Sequence, residues 1–387
     1  MGQSAVKRLW RQMRDNGVRP RLAPLANITP VKIAIVSDLH LGTRAGADVA
    51  RWPEARARLA DALLDADHVV FLGDLMELRE LPLQAALAEA RVVLGDLAPA
   101  LAGKRVTLVP GNHDHRLAEP LLERLRVEGG ELGLDCSAAA EESPVAAELA
   151  RQLPDSHCSL AYPGLWLRPD VYALHGHYLD LHMTVPRVES ILSQAMARRT
   201  LGKDFGFRSP DDYEHAIGPL YALSYNLAQR PGKGLHSSTL SRDIWARIHG
   251  DGRATLSGFL LARVAIPAGV LALNAAGIGS FAADLSGEGL RLSGLRAMGD
   301  VVDVLGIRAE HVLFGHTHRP GPLPGEEDDP GWRLPGGARL WNTGSWFLES
   351  ALLGERRRES PYWPGGVTYL HDSGPPEPVN VLRDLEF

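Results

Sequence analysis

Five short apolar runs in this sequence each end in polar side chains that can bind a metal ion or take part in catalysis. The runs lie at 31–37, 68–72, 105–109, 171–174 and 311–314. They lead into the motifs D-L-H, G-D, P-G-N-H-D, H-G-H and G-H-T-H. Short continuous apolar runs are typical of strands that are buried on both faces of a parallel sheet. The sequence therefore predicts five strands whose carboxyl ends carry the chemistry of the protein.

Helical patterns separate the early strands, at 53–66 and 82–102, where Ala, Leu, Glu and Arg recur with helical spacing. Alternating strands and helices indicate an α/β fold, and ligands in such folds bind outside the carboxyl ends of the strands. We expect all five polar clusters at that edge. Two further strand-like runs, 366–370 and 379–382, follow turns rich in Pro and Gly, and we predict that they complete a second sheet.

From about 183 to 305 the composition changes to helix formers interrupted by Gly and Pro, which predicts an inserted helical subdomain in the position of a lid. The predicted helices lie around 186–200, 211–229, 238–250, 254–283 and 289–305. Within the insertion, 264–285 carries no charge until Asp284, but Pro267 and Asn274 make it weakly hydrophobic. A buried helix is therefore favoured over a membrane span, and peripheral docking on a lipid surface stays an alternative.

The length, charge and cysteine content limit the classes of protein to which this chain could belong. With 387 residues and 45% hydrophobic content the chain can bury a large core, and its net charge of −6 disfavours nucleic acid as a partner. Two cysteines, Cys136 and Cys158, fit a reducing compartment. Residues 1–30 form a basic lead-in without the apolar core of a secretory signal peptide. We therefore expect a cytoplasmic protein.

The polar clusters supply carboxylate oxygens and imidazole nitrogens, the ligands that hard and borderline divalent metals prefer. In a strand-end D-x-H the alternate side chains leave the same face, so Asp38 and His40 can reach one metal, and His316 and His318 repeat this spacing. Asp74 follows the neighbouring strand and is suitably placed to bridge two ions. The complete set of predicted metal ligands is Asp38, His40, Asp74, Asn112, His175, His316 and His318.

The ordered motifs resemble the signature blocks of the calcineurin-like metallophosphoesterase superfamily. These motifs are D-x-H at 38–40, G-D-x-x-E at 73–77, G-N-H-D at 111–114, H-G-H at 175–177 and G-H-T-H at 315–318. The resemblance implies a layered α/β/β/α sandwich formed by 31–182 and 306–387, with 183–305 as the helical insertion. It also implies a metal-dependent phosphoric ester hydrolase.

By the same resemblance, two divalent metals share Asp74 as their bridge and activate a water molecule for attack on phosphorus. The first metal would bind Asp38, His40, Asp74 and His318, and the second Asp74, Asn112, His175 and His316. His113 would be the general acid. Glu77 stands where the family usually has an Asp that orients this histidine, and it is the predicted partner of His113. Manganese is the predicted metal, with iron, zinc or cobalt as alternatives.

The substrate class stays open at this point. His177 and Arg44 are predicted substrate contacts, while Asp114, His115, His182 and His215 are predicted to be structural or to orient a ligand. The substrate would be a phosphomonoester, a phosphodiester or a pyrophosphate, either small or lipid-linked. Alternatives are a lipid- or nucleotide-linked pyrophosphatase, a nuclease and an inactive binding scaffold. No G-x-x-x-x-G-K-[ST] motif follows any of these strands, which excludes a P-loop nucleotide hydrolase.

Overall fold

A computed structural model of the chain describes residues 31–202, 205–230, 266–282, 286–353 and 357–387. The basic lead-in at 1–30 and the predicted helix at 238–250 lie outside the described residues. Of the predicted helix at 254–283, the structure describes Ile266–Ala275 as helical, and the part before Ile266 is likewise outside the description.

One continuous sheet organises the described chain, and it contains ten strands. They are β1 (Ile33–Val36), β2 (His68–Leu72), β3 (Arg105–Val109), β4 (Asp135–Ala139), β5 (His157–Arg168), β6 (Val171–Leu174), β7 (His311–Phe314), β8 (Arg339–Asn342), β9 (Gly366–Leu370) and β10 (Glu377–Asn380). Nine of them follow one another in the order β10-β9-β1-β2-β3-β5-β6-β7-β8, and β4 pairs with β5. The α/β class predicted from the sequence is confirmed.

The sheet has two parallel groups of strands that run in opposite directions along it. β1, β2 and β3 are parallel, and so are β6, β7 and β8. β5 joins the groups because it pairs parallel with β3 over its first residues and antiparallel with β6 over its last. The sheet therefore has to curl for the carboxyl ends of both groups to meet. They do meet, since Asp74 after β2 contacts His175 after β6.

The last two strands differ from the prediction. We predicted a second sheet from the runs at 366–370 and 379–382, but β9 pairs antiparallel with β1, and β10 pairs with β9. Both strands therefore extend the edge of the same sheet. The apolar pattern identifies a strand without identifying its neighbour, because pairing depends on contacts that are distant in sequence.

Eight α-helices lie in the described part of the chain and cover the sheet. They are α1 (Pro53–Leu63), α2 (Leu83–Leu101), α3 (Glu119–Glu128), α4 (Pro144–Ala150), α5 (Val188–Leu201), α6 (Pro210–Ala228), α7 (Ile266–Ala275) and α8 (Gly287–Val304). Their ends follow ordinary capping rules. Ser286 accepts a hydrogen bond from the main-chain N–H of Gly289 at 2.9 Å at the start of α8, and Gly129 ends α3 in the left-handed region.

Two buried hydrophobic clusters form the main core. The first packs β1, β2 and β3 against α1, α2, α3 and α4. The second packs β6 and β7 against helices of the 183–305 segment and includes Tyr172, Phe314, Tyr213, Ile217 and Met298. The described helices α6 and α8 therefore share a core with the strands that carry the histidine motifs. Among the described residues, none of the helices combines the length and the apolarity needed to cross a membrane.

Candidate metal centre

The loops after β1, β2 and β7 hold five side chains on an unusual backbone. Within the described residues, every non-glycine residue with a positive φ is a predicted metal ligand. These residues are Asp38 (55°), His40 (47°), Asp74 (51°), His316 (65°) and His318 (60°). L-residues rarely adopt the left-handed region because Cβ approaches the backbone, and such residues concentrate at functional sites where the surrounding fold enforces them.

Glycines allow the loops to approach one another closely. A Cβ added at Gly73, where φ is +86°, would overlap the imidazole of His175. A Cβ at Gly111 would overlap the Asp74 carboxylate and lie 2.7 Å from a ring carbon of His175. The G-D and G-N motifs therefore contain glycine because another site residue occupies the space that a side chain would need.

The first group of side chains is Asp38, His40 and His318. Nε2 of His40 lies 3.1 Å from Nε2 of His318, and Nε2 of His318 lies 3.4 Å from Oδ1 of Asp38. Nε2 of His40 is also 3.7 Å from Oδ2 of Asp74. Potential ligand atoms from three separate loops thus converge on one small volume.

The second group is Asp74, Asn112, His175 and His316. Nε2 of His175 lies 3.2 Å from Oδ2 of Asp74 and 3.2 Å from the inward atom of the Asn112 amide. That same amide atom is 3.1 Å from Nδ1 of His316. Asp74 also contacts His40 of the first group, since its Oδ2 lies 3.7 Å from Nε2 of His40, as its predicted bridging role requires.

Hydrogen bonds outside the two groups fix which ring nitrogen faces inward. Nδ1 of His175 is 3.0 Å from the carbonyl oxygen of Leu72, which can only accept, so Nδ1 carries the proton. Nε2 of His175 then faces Asp74 and Asn112 and is the ring nitrogen that could bind a metal. Imidazole nitrogens, carboxylate oxygens and an amide group are donor types that divalent cations bind. The donor set therefore fits divalent metal ions.

The charges of the site are consistent with a cation-binding centre. Burial alone would raise the pKa of Asp74, but the neighbouring His175 and His113 lower it well below its usual range. Burial alone would lower the pKa of His40, but Glu77, Asp74 and Asp38 raise it to about 9. In the absence of metal, protons on the histidines therefore balance the carboxylates.

His113 lies beside the predicted metal ligands, and one of its ring nitrogens is within 4.8 Å of possible ligand atoms of His40 and Asp74. Its Nδ1 is 2.6 Å from Oε2 of Glu77, and its main-chain N–H donates to Oδ1 of Asp74 at 2.8 Å. Oε2 of Glu77 is also 3.4 Å from Nδ1 of His40. Burial would raise the pKa of Glu77, but His113 and His40 lower it, so this carboxylate is ionised next to both rings. Glu77, whose side chain is longer than that of the Asp usual at this position, thus reaches its predicted partner His113.

Two charged residues at the site were not anticipated from the sequence. Arg79 is 8% exposed, and its Nη1 lies 3.5 Å from Nε2 of His113. Asp180 is 1% exposed, and its Oδ2 lies 3.0 Å from Nε2 of His316. Arg79 follows two residues after the G-D-x-x-E motif, and Asp180 three residues after H-G-H. These short spacings are the only sequence signal that could have found them.

Asp114 and His115 form buried hydrogen bonds that connect elements around the site. Asp114 accepts from the main-chain N–H groups of Gly111 at 2.7 Å and Leu75 at 2.8 Å, which ties the loops after β2 and β3 together. Burial and the nearby Asp74 charge raise the pKa of Asp114 to about 6. Nε2 of His115 is 2.8 Å from Oε2 of Glu214 on α6.

The two predicted substrate contacts lie in different surroundings. His177 is 2% exposed, and its Nε2 is 3.3 Å from the hydroxyl of Tyr162. Arg44 is exposed, and its Nε donates to the carbonyl oxygen of Glu80 at 2.8 Å. Their contact with substrate stays a prediction.

A comparison with protein-family models identifies the family of this chain. A family model described as calcineurin-like phosphoesterase matches residues 31–226. No curated protein sequence matches the chain. A solved structure of a cold-active protein-tyrosine phosphatase of the psychrophile Shewanella sp. shares 11% identity and covers 92% of this chain and 82% of its own, with a TM-score of 0.27. A dimetal phosphatase from Danio rerio shares 12% identity and covers 88% of this chain and 93% of its own, with a TM-score of 0.34.

These TM-scores are low, and the family membership of this chain rests on the family model alone. The family model matches just over half of the 387 residues and includes the first four motifs. The G-H-T-H motif lies beyond the matched range, but the fold brings its histidines against Asp38 and Asn112. This chain belongs to the calcineurin-like phosphoesterase family and is a metal-dependent phosphoesterase.

Proposed function

We propose that the protein hydrolyses a phosphate ester or anhydride at a dinuclear metal centre. The proposed ligands are Asp38, His40, Asp74 and His318 for the first metal, and Asp74, Asn112, His175 and His316 for the second. The observation that carries the proposal is the convergence of possible ligand atoms from these loops, with Asp74 in contact with both His40 and His175. When bound, the two cations would neutralise phosphoryl oxygens and supply a nucleophilic hydroxide at neutral pH. We propose manganese, and the ligand set also accepts iron, zinc or cobalt.

His113 is the proposed general acid. Nδ1 of this ring donates to Glu77, so in the doubly protonated form the second proton would lie on Nε2, from which it would pass to the leaving oxygen. The guanidinium of Arg79, 3.5 Å from the same Nε2, places a positive charge beside that oxygen. No serine or cysteine nucleophile takes part, so the products form without a covalent enzyme intermediate.

A groove next to His113 is the proposed site of the leaving group. A small cavity lined by Asn112, His113, Arg79, Arg116 and Tyr221 borders the centre. Through shared lining residues it adjoins a groove of about 660 Å³ between α3 and α6. Tyr221 and Tyr225 line the small cavity, and the groove combines basic Arg116 and Arg126 with acidic Glu119, Glu123 and Glu214.

The class of substrate is also part of this proposal. Monoesters, diesters and pyrophosphates all fit the same chemistry, and a lipid- or nucleotide-linked pyrophosphate would use the groove for its larger group. A cytoplasmic location belongs to the same proposal. His177 and Arg44 are the proposed contacts to the rest of the substrate.

Substitution of the bridging residue tests the proposal. We expect wild-type protein with Mn²⁺ to release p-nitrophenol from mono- or bis-p-nitrophenyl phosphate, and Asp74→Asn to lower kcat by at least about 100-fold. Asp61→Asn is the matched control, because Asp61 is an exposed residue of α1 that belongs to none of the candidate metal-ligand groups among the described residues. The control should keep wild-type activity. Wild-type activity in Asp74→Asn would refute the mechanism.

A further inference from the structure

The ligand histidine His316 has a buried carboxylate behind it. Asp180 lies in the 3-10 turn His177–Leu181, which directly follows the H-G-H motif, and 1% of it is exposed. Its Oδ2 is 3.0 Å from Nε2 of His316. In the described part of the chain, the other carboxylate oxygen, Oδ1, has no hydrogen-bond partner. The contact with His316 is therefore the main polar contact of this carboxylate.

Only one ring nitrogen of His316 can face the centre. Nδ1 lies on the inner side, 3.1 Å from the Asn112 amide atom that also contacts Asp74 and His175. Nε2 lies on the outer side, against Asp180. A neutral imidazole carries one proton, and it can bind a metal only through the nitrogen without it. The position of that proton therefore decides whether His316 can act as a ligand.

We propose that Asp180 is a positioning residue that holds the proton of His316 on Nε2 and directs the Nδ1 lone pair at the second metal. This inference rests on the proposed function. His175 shows the same arrangement with a different acceptor, because its Nδ1 contacts the carbonyl oxygen of Leu72 at 3.0 Å. Both histidines of the second group thus have an acceptor behind the ring, as metal-binding histidines generally do.

Helices of the 183–305 segment hold the turn that carries Asp180. Nε2 of Gln194 on α5 donates to the carbonyl oxygens of Asp180 at 3.2 Å and Met183 at 2.9 Å. Within the same turn, the hydroxyl of Tyr178 donates to Oε1 of Glu214 on α6 at 2.6 Å. These helices thereby support the second metal from behind, in addition to any contact with substrate.

Metal binding to the full-length protein tests the assignment without reference to activity. Titration calorimetry with Mn²⁺ should detect two sites in the wild type. We expect Asp180→Leu, which removes the acceptor and keeps the bulk, to weaken one site by about 10- to 100-fold and to leave the other unchanged. Asp180→Asn keeps an acceptor oxygen, so the loss of Mn²⁺ affinity in this variant should be smaller. The control Asp61→Asn, at an exposed position of α1, should bind both ions as the wild type does.

The possible results of this titration distinguish a failure of the role of Asp180 from a failure of the proposed function. Two sites of wild-type affinity in Asp180→Leu would overturn the role of Asp180 and leave the dinuclear centre intact. A wild type that binds no Mn²⁺ would overturn both. If Asp180→Leu does not fold, an NMR spectrum of the Zn²⁺-loaded wild type with ¹⁵N-labelled histidine rings tests where the proton of His316 lies. We expect a slowly exchanging Nε2–H signal that disappears in His316→Gln, and a protonated Nδ1 of His316 would overturn the assignment.

Discussion

Side chains at the centre are held in positions that a flexible loop would not maintain. Asp38, His40 and Asp74 adopt left-handed backbone conformations, each of which costs about 1–3 kcal/mol. Neighbouring contacts offset this cost. The main-chain N–H of His40 donates to the carbonyl oxygen of Asp74 at 2.8 Å, and that of His316 donates to both oxygens of Asp38 at 3.1 Å. The geometry of the proposed ligands is therefore preorganised by the protein.

His113 provides the sharpest test at a single side chain. We expect His113→Ala to lower kcat by about 10²–10⁴-fold for an alkyl phosphate, because the leaving alkoxide then departs without a proton. The loss should be much smaller for p-nitrophenyl phosphate, whose leaving group is stable as an anion. Rates for both esters at saturating Mn²⁺ measure the difference. An equal loss for the two substrates would contradict a general-acid role.

The sequence was informative for side chains that belong to a motif and uninformative for those that support one. The seven predicted ligands do come together, because each follows a buried strand and strand ends meet at one place. Arg79 and Asp180 are buried charges in the turns that follow those motifs. Their partners, His113 and His316, are distant in sequence, so no local pattern marks the pairs.

The turn after β2 shows how a strand end determines the site. Gly73 has φ +86° and lies where the imidazole of His175 packs against the backbone. Only glycine satisfies both conditions, because any other residue would be strained and would displace His175. The absence of a side chain at residue 73 therefore allows the loop after β2 to approach His175, which follows β6.

Gly73→Ala should therefore disrupt the second metal site. We expect a loss of one of the two bound metals and a fall in the free energy of unfolding of more than about 1 kcal/mol. Gly95→Ala is the matched control, because Gly95 lies within α2 with no atom near its added Cβ. That change should raise stability by about 0.5–1 kcal/mol. Metal content and urea denaturation measure both, and two bound metals in Gly73→Ala would refute this view of the turn.

Among the elements, short apolar strands were predictable and the connecting strand was not. The prediction placed β2, β3, β6, β7 and β9 at their observed bounds, since each is a continuous apolar run. The twelve-residue β5 contains Pro163 and Gly164, which argue against a strand in any local interpretation. β4 is short and contains small residues of low strand propensity. Both strands are stabilised by pairing within the curled sheet.

Across the whole molecule, the metal centre lies between the two groups of parallel strands and their separate cores. Asp38 and Asp74 follow strands of the first core, while His175 and His316 follow strands of the second. Metals bound to both sets would therefore cross-link the two halves of the sheet. Ligands that bind only the folded state stabilise it by mass action, so the stability of the protein should depend on metal.

The pH dependence of thermal stability tests this link. Burial would lower the pKa of His40 and His175, but nearby carboxylates raise them to about 9 and about 10 without metal. Their protons stabilise the metal-free fold fully below the usual histidine value of 6.5, and this contribution is lost as pH rises through 9 and 10. Asp38 and Asp74, with lowered pKa values, stabilise the fold above their usual 3.8 and lose this effect in acid.

We therefore expect the Tm of the metal-free protein to fall between pH 6.5 and pH 9, and bound Mn²⁺ to prevent much of that fall because it replaces the protons. Differential scanning fluorimetry with chelator and with Mn²⁺ across this range gives the comparison. A metal-free Tm that rises over the same range would show that the histidine protons do not stabilise the fold.

The central claim is that seven side chains hold two metals with Asp74 between them. Anomalous diffraction from a crystal of the Mn²⁺-loaded protein tests it most directly. The account predicts two peaks about 3.5–4 Å apart. One should lie among Asp38, His40 and His318, and the other among Asn112, His175 and His316, with Asp74 touching both. A single peak, or peaks elsewhere in the molecule, would contradict the account.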